Sequence, residues 1–456
     1  MKRRSPAPSR PAIASWSALA AGALLTSACG GPSTATIRDL NTMIAARNYA
    51  GAVSLIQSKK DTDQYGRKNA VLYYMDLGAI QHFAGQYEPS NRSLGAADDR
   101  IEQLFTISLH KEAESMLLND KTVDYVGRPY ERVLTHAIRA LDFAIPGDRN
   151  DAAVEANKAE FLLDHLREVA KDTYKDDAYV RYLDSLLYED VSDSNDARIA
   201  RYRSKQAYKW YALKYNTPAP VFDLPSKKNR RLLGELVFVH YAGTAPRKIS
   251  KDISIAWGQG MFYLNAARES GDPEASQQRV TNALAAGIMG NNITISYPEF
   301  VQDPYGIDAS EVVVDSGPPM SSLLVENISA IAIKDLADHI DGIKAKSAVR
   351  AITKFLITRF AAKEVEKNTG QYGQLFGFLT QAAGSVISAA TEVADTRSWT
   401  TLPAIIRMAR LPLSPGNHQV VIIYKNRVGG EMARRVFDQV PIVAGNRTFL
   451  QDRTAL

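Results

Sequence analysis

Between Tyr74 and Ala97 the chain reads Tyr74-Met75-Asp76-Leu77-Gly78-Ala79-Ile80-Gln81-His82-Phe83-Ala84-Gly85-Gln86-Tyr87-Glu88-Pro89-Ser90-Asn91-Arg92-Ser93-Leu94-Gly95-Ala96-Ala97. Its apolar spacing predicts two helices folded back on each other. Gly78 lets the first helix approach the second closely, and Gly85 suits the left-handed residue that ends the first helix. Tyr87, Leu94 and Ala97 then supply the interlocking face of the second helix. One such pair cannot bury its own apolar face, so the pattern demands neighbours.

In order and spacing, Tyr74, Leu77, Gly78, Gly85, Tyr87, Leu94 and Ala97 resemble the tetratricopeptide repeat. Weaker echoes occur at Asn48, Tyr49, Ala52 and Ile56, at Phe143, Gly147, Asp148, Ala152, Ala156 and Ala159, and at Tyr188, Asp193, Ala197 and Tyr202. The turns at Gly85, Gly147 and Ser192 lie 62 and 45 residues apart, not at the repeat's usual period of about 34. The expectation over 37–215 is therefore a short α-solenoid of tetratricopeptide-like helix pairs. Its last part is rich in aromatics: Tyr174, Tyr179, Tyr182, Tyr188, Tyr202, Tyr208, Trp210, Tyr211 and Tyr215. On a concave surface these would make a peptide-binding groove, with Tyr182 and Tyr188 as candidate contacts. Helical spacing favours packing between helices instead.

Three prolines in 216–225 and the charge run Lys227, Lys228, Arg230, Arg231 predict a linker over 216–231. The remaining 232–456 reads as a mixed domain, making the fold class α+β. Leu232 to Tyr241 predicts a buried strand, and Ile293 to Phe300, Glu311 to Val314 and Val420 to Tyr424 are further strand candidates. Ile328 to Glu366 predicts a helical insert of one or two amphipathic helices. Tyr372 to Ala390 carries no charge but is diluted by Gln, Ser, Thr and Gly, which favours a buried helix over a membrane span. From Ile405 onward the alternation predicts a small β-sandwich: Leu411 to Gly416 as lead-in and turn, His418 to Tyr424 as a strand, and Glu431 to Val443 and Thr448 to Gln451 as its partners. That pairing would leave an edge open to another strand.

At the other end, Lys2, Arg3, Arg4 and Arg10 precede an uncharged run that stops at Cys29, the one cysteine of 456 residues. This is the layout of an export signal over 1–28. Ser27, Ala28 and Cys29 resemble a lipobox, with Thr26 where Leu is usual, which predicts diacylglycerol on the Cys29 thiol and a membrane-anchored chain. A flexible tether is expected over 29–36. With no Asp after Cys29, the expected address is the outer membrane, facing the periplasm. The first 28 residues hold four basic groups and no acid, so the net charge of +5 falls to about +1 beyond them. That balance speaks against a nucleic-acid partner.

Motifs of catalysis are missing: the sequence has no G-x-S-x-G, no H-E-x-x-H and no phosphate loop. Each of His82, His110, His136 and His165 stands alone on its predicted helix, and the Asp61, Asp63, Gly66 run lacks the ligands of a calcium loop, so neither metal nor cofactor is expected. The best polar constellation is Asp395, Arg397 and Trp399, joined by Arg407 and Arg410. Arg397 could grip a carboxylate or phosphate with Trp399 stacked beside it, or the group could be a structural ion pair, which is the favoured reading.

Four segments carry a wider resemblance: Ala245-Pro246-Arg247-Lys248; Ile331-Ala332-Ile333-Lys334-Asp335-Leu336; Ala394-Asp395-Thr396-Arg397-Ser398-Trp399; and Ala409-Arg410-Leu411-Pro412-Leu413 before Pro415-Gly416. Through them the chain resembles a conserved family of bacterial envelope lipoproteins with tetratricopeptide-like repeats, for which no activity is established. The resemblance implies an envelope lipoprotein. The functional expectation is a non-enzymatic periplasmic scaffold or adaptor that binds another envelope protein through its helical groove, in cell-envelope or peptidoglycan assembly. The alternative is an enzyme or carrier for a cell-wall or lipid substrate in a cleft between the halves. Composition leaves the oligomeric state open.

Overall fold

A computed structural model describes residues 31–108, 123–169, 174, 176–224, 232–256, 292–369 and 394–455. The signal segment, Cys29, the charge run 226–231 and the uncharged segment 372–390 lie outside the described residues. The fold is mixed α+β, with helices concentrated in the N-terminal half and largely antiparallel sheets in the C-terminal half.

Eight of the described helices form successive hairpins: α1 (Thr34–Ala45) with α2 (Tyr49–Ser58), α3 (Ala70–Phe83) with α4 (Tyr87–Ser108), α5 (Pro129–Ala144) with α6 (Arg149–Val169), and α7 (Ala178–Asp190) with α8 (Ser194–Lys214). All four turns share one device. A residue with positive φ, Arg47 (56°), Gly85 (74°), Gly147 (102°) or Ser192 (64°), ends the first helix. The following amide then bonds back to a carbonyl five residues earlier: Asn48 to Met43, Gln86 to Gln81, Asp148 to Phe143 and Asp193 to Tyr188. These bonds satisfy carbonyls that the helix end would leave bare. Asn48, Asp148 and Asp193 also cap the next helix through their side chains. At Gly78 an added Cβ would come within 2.5 Å of Leu94, so the close approach expected from the sequence is present.

The predicted tether is shorter than expected. Gly31 is buried, and Ser33 caps α1, which starts at Thr34, so residues 31–36 belong to the folded body. The predicted linker also departs from expectation in its described part, because Thr217 is buried and Phe222 stacks on Tyr182 with ring centroids 5.7 Å apart.

Two four-stranded sheets follow, ordered β10-β1-β7-β6 and β5-β4-β8-β9, with β1 Gly234–Ala242, β4 Ala309–Val314, β5 Met320–Ser321, β6 Leu323–Glu326, β7 Ile405–Leu413, β8 Gly416–Lys425, β9 Glu431–Ile442 and β10 Arg447–Thr454. Leu411 to Leu413 thus close strand β7, and only the turn begins beyond them. The sandwich draws half its strands from before Ile405. Its tail does not close on itself: β9 pairs with β8, but β10 crosses to the other sheet and runs parallel to β1. β2 (Arg247–Ala256) and β3 (Asn292–Val301) form a separate antiparallel pair against α9 (Ile328–Thr369), which is one helix.

Every residue of β1 is buried, and strand alternation divides its side chains between two cores. Leu236 and Phe238 pack with Val312, Val420 and Ile422 inside the sandwich, whereas Val237, Val239 and Tyr241 pack with the helices. Trp399, Met408 and Phe449 join the helical core. The two halves share that core, so 216–231 divides the chain without dividing the hydrophobic interior.

Candidate functional site

The segment after Ala394 runs between α3, α5 and the sheet, and its polar groups are claimed by carboxylates that rise from the helices. Asp395 accepts Arg397 Nε at 2.9 Å and Nη2 at 2.8 Å, a bidentate fork, and also accepts the Arg397 amide. Arg397 Nη1 donates to Val123 O at 2.8 Å and Asn69 Oδ1 at 3.2 Å, and its cation lies 5.4 Å from the Tyr125 ring centroid. Lys248 Nζ donates to Arg397 O. Burial opposes the charge on Asp395, but the Arg397 fork overcomes it and holds the carboxyl below the usual range.

Two residues along, Trp399 is fully buried. Its amide donates to Glu131 Oε1 at 2.8 Å, and its indole donates to Thr401 Oγ1. Glu131 also accepts Tyr125 OH and the Arg128 amide. Asp76, in the middle of α3, accepts Tyr65 OH at 2.7 Å, the Thr401 amide at 3.1 Å and Thr401 Oγ1 at 2.9 Å. Burial still outweighs these donors and pushes Asp76 up to about 6.

Arg397 is therefore spent on its own chain: its guanidinium donates to Asp395, Asn69 and Val123 O, and its side chain is 3% exposed. Trp399 is buried in the core shared with the helices. Arg407 and Arg410 are not part of this group. Arg407 donates to Ser322, while Arg410 reaches Glu235 and Tyr182 OH and lies over the Tyr182 and Phe222 rings. Tyr188 stands elsewhere again, donating to Asn157. Of the tyrosine run, Tyr174, Tyr179, Tyr188, Tyr208, Tyr211 and Tyr215 are buried between helices and sheet. The face expected to be a groove is filled by the chain's own strands, as Tyr208 OH donating to Val325 O illustrates.

Two open features stand out among the described residues. An 890 Å³ cleft lies where the α7–α8 turn meets the ends of β1 and β10, lined in part by Glu189, Asp190, Arg198, Arg201, Glu235 and Arg447. Its three carboxylates converge on Arg447, which reaches Asp190 at 2.6 Å, Glu235 at 3.0 Å and Glu189. Glu189 and Glu235 lie below their ordinary pKa because, although burial opposes the charge, the arginine pairs outweigh it. Both are held as ionised acceptors, poor proton donors at neutral pH. The second feature is a 720 Å³ groove on the outer side of α8, between Ile199, Tyr202, Arg203, Trp210, Lys214 and Arg167 of α6. Tyr202 and Leu213 on α8 are 63% and 84% exposed.

Sequence reading missed the carboxylates. Asp76 inside the apolar helix Val71–Phe83 was the available signal, because an acid in such a run needs partners. Among the described residues, no group of His, Cys, Asp and Glu could hold a metal ion, and no helix is long and apolar enough to cross a membrane. No protein family, curated protein or solved structure matches the chain.

Proposed function

We propose that the protein is a scaffold or adaptor of the bacterial envelope, without catalytic activity, anchored to the outer membrane by a lipid on Cys29 and facing the periplasm. Its helical half is read as a short tetratricopeptide-like array. The observation that carries the adaptor reading is the outer face of α8, where Tyr202 and Trp210 line a groove, Leu213 is exposed nearby, and no following helix covers them among the described residues. Repeat arrays bury each hairpin against the next and ordinarily end in a polar outer face, so a last face that exposes Tyr202 and Leu213 is read as a docking surface. The partner site therefore moves from the inner tyrosine face to the outer one. Photocrosslinkers placed at Tyr202 and at Trp210 in living cells should give one discrete adduct, and Leu213→Glu should abolish it without lowering the melting temperature. Adducts absent at both positions, or unaffected by that substitution, would refute the assignment.

The Arg447 cleft favours a second reading, a carrier of a polar cell-wall or lipid fragment between the halves. Arg198 and Lys205 line it with no carboxylate partner among the described residues, and could hold an anionic group. Saturation by envelope glycan fragments in calorimetry would support it, and no heat at millimolar ligand would remove it.

A further inference from the structure

The folded body begins two residues after Cys29. Gly31, at φ +89°, lies against Leu72 and the aliphatic part of Arg397, where an added Cβ would stand 3.1 Å from Arg397 Cγ. Ser33 is fixed as well: its amide donates to Gln64 Oε1 at 3.0 Å, and its hydroxyl accepts the Thr36 amide at 3.1 Å. Arg397 ties this point to Val123 and Asn69. The start of the described body is thus packed on a buried arginine that is itself bonded to Asp395, Val123 and Asn69.

Two residue steps span at most about 7 Å. A long tether would let an anchored body face the bilayer in any orientation, whereas this spacing admits few. We infer that the protein sits on the membrane by one defined face, the face around Gly31, with the 59–69 segment and Val123 apposed to the lipid headgroups. The inference rests on the lipid-anchor reading above. The chemistry of the face fits the surface of an anionic bilayer. Lys60, Arg67 and Lys68 are exposed there and outnumber Asp61 and Asp63, the exposed acids of the same segment, and Val123, 43% exposed, adds an apolar contact. Cations beside an acyl chain supply the second signal that stable attachment needs.

The test uses the chain's lack of a second cysteine: once the lipid occupies Cys29, one introduced cysteine is a unique reporter. Lipid-modified protein purified from bacterial membranes is checked by intact mass. A chain without diacylglycerol refutes the anchor reading, and this inference with it. Lipidated Lys68→Cys and Leu213→Cys variants, each carrying a fluorophore, are then placed in vesicles of phosphatidylethanolamine and phosphatidylglycerol containing a headgroup quencher. The expected result is several-fold stronger quenching at position 68 than at 213, the latter on the last helix of the row. Equal quenching in protein of confirmed lipid mass overturns the orientation alone. Inserting about a dozen Gly and Ser residues between Gly30 and Gly31 should erase the difference. If the difference survives, short spacing does not set the orientation.

Discussion

Two buried seams join the helices to the rest of the molecule, both built on carboxylates, and they differ in what answers the charge. At the first, Asp76 and Glu131 receive hydroxyl and amide donors from Tyr65, Tyr125, Arg128, Trp399 and Thr401. At the second, Asp177 receives Tyr174 OH at 2.6 Å and the Val180 amide at 2.8 Å, while Glu326 beside it has no well-aligned donor among the described residues. Burial, followed by the charge of Asp177, pushes Glu326 well above the usual carboxylate range, and burial lifts Asp177 to about 6. A carboxylate surrounded by donors fastens two elements together. A carboxylate facing another acid instead retains a proton.

The largest expected break in this comparison is Arg397→Ala. Removing the cation strands Asp395 and leaves Val123 O and Asn69 without their donor, at a cost of about 3–5 kcal/mol. Urea unfolding checks it, and unchanged stability with lost partner binding would turn the first seam into a recognition site. Asp76→Ala comes next: it orphans Tyr65 OH and both donors of Thr401, at about 3 kcal/mol, readable as a lowered urea midpoint. The equivalent loss of Glu326 should have the opposite sign.

Asp177 and Glu326 have folded pKa values above those of unfolded acids, so the folded state holds protons more tightly. The contribution of Asp177 to stability is full below about pH 4 and is lost as pH rises through about 6, and that of Glu326 is lost in the same direction as pH rises. Asp76, also lifted to about 6, adds in the same direction. Glu326→Gln should leave stability at pH 4 unchanged and raise it at pH 7. Denaturation curves at the two pH values measure this directly, and a variant with the wild-type pH slope would show that the seams do not differ.

Much of the fold was legible. The helix hairpins could be read because their determinants are local: Gly85 and Gly147 sit at the positive-φ positions, and Asp148 and Asp193 cap the helices that follow. Even the weak echo at Asn48 is a hairpin with the same turn, although Arg47 rather than glycine occupies the left-handed position. Strand β1 announced itself by its composition. The candidate site was legible only as residue types. Asp395, Arg397 and Trp399 do lie together, but the acids that answer Arg397's neighbours come from hundreds of residues away, as Trp399 to Glu131 and Thr401 to Asp76 show. Arg407 and Arg410 alternate along β7 and cannot both face the same partner.

By itself the sequence determined what depends on neighbours along the chain: the helical hairpins and their turns, the doubly buried strand, the lone cysteine behind its uncharged run and the near-neutral charge beyond it. Tertiary structure alone decided which face of the tyrosine helices would be covered, that β10 would leave its hairpin partner and run parallel to β1, and that Gly31 would be pinned on Arg397. The reason is physical. Turn and helix preferences are set by backbone sterics over a few residues, whereas the choice among buried partners depends on which distant groups can complete the same hydrogen bonds and fill the same volume.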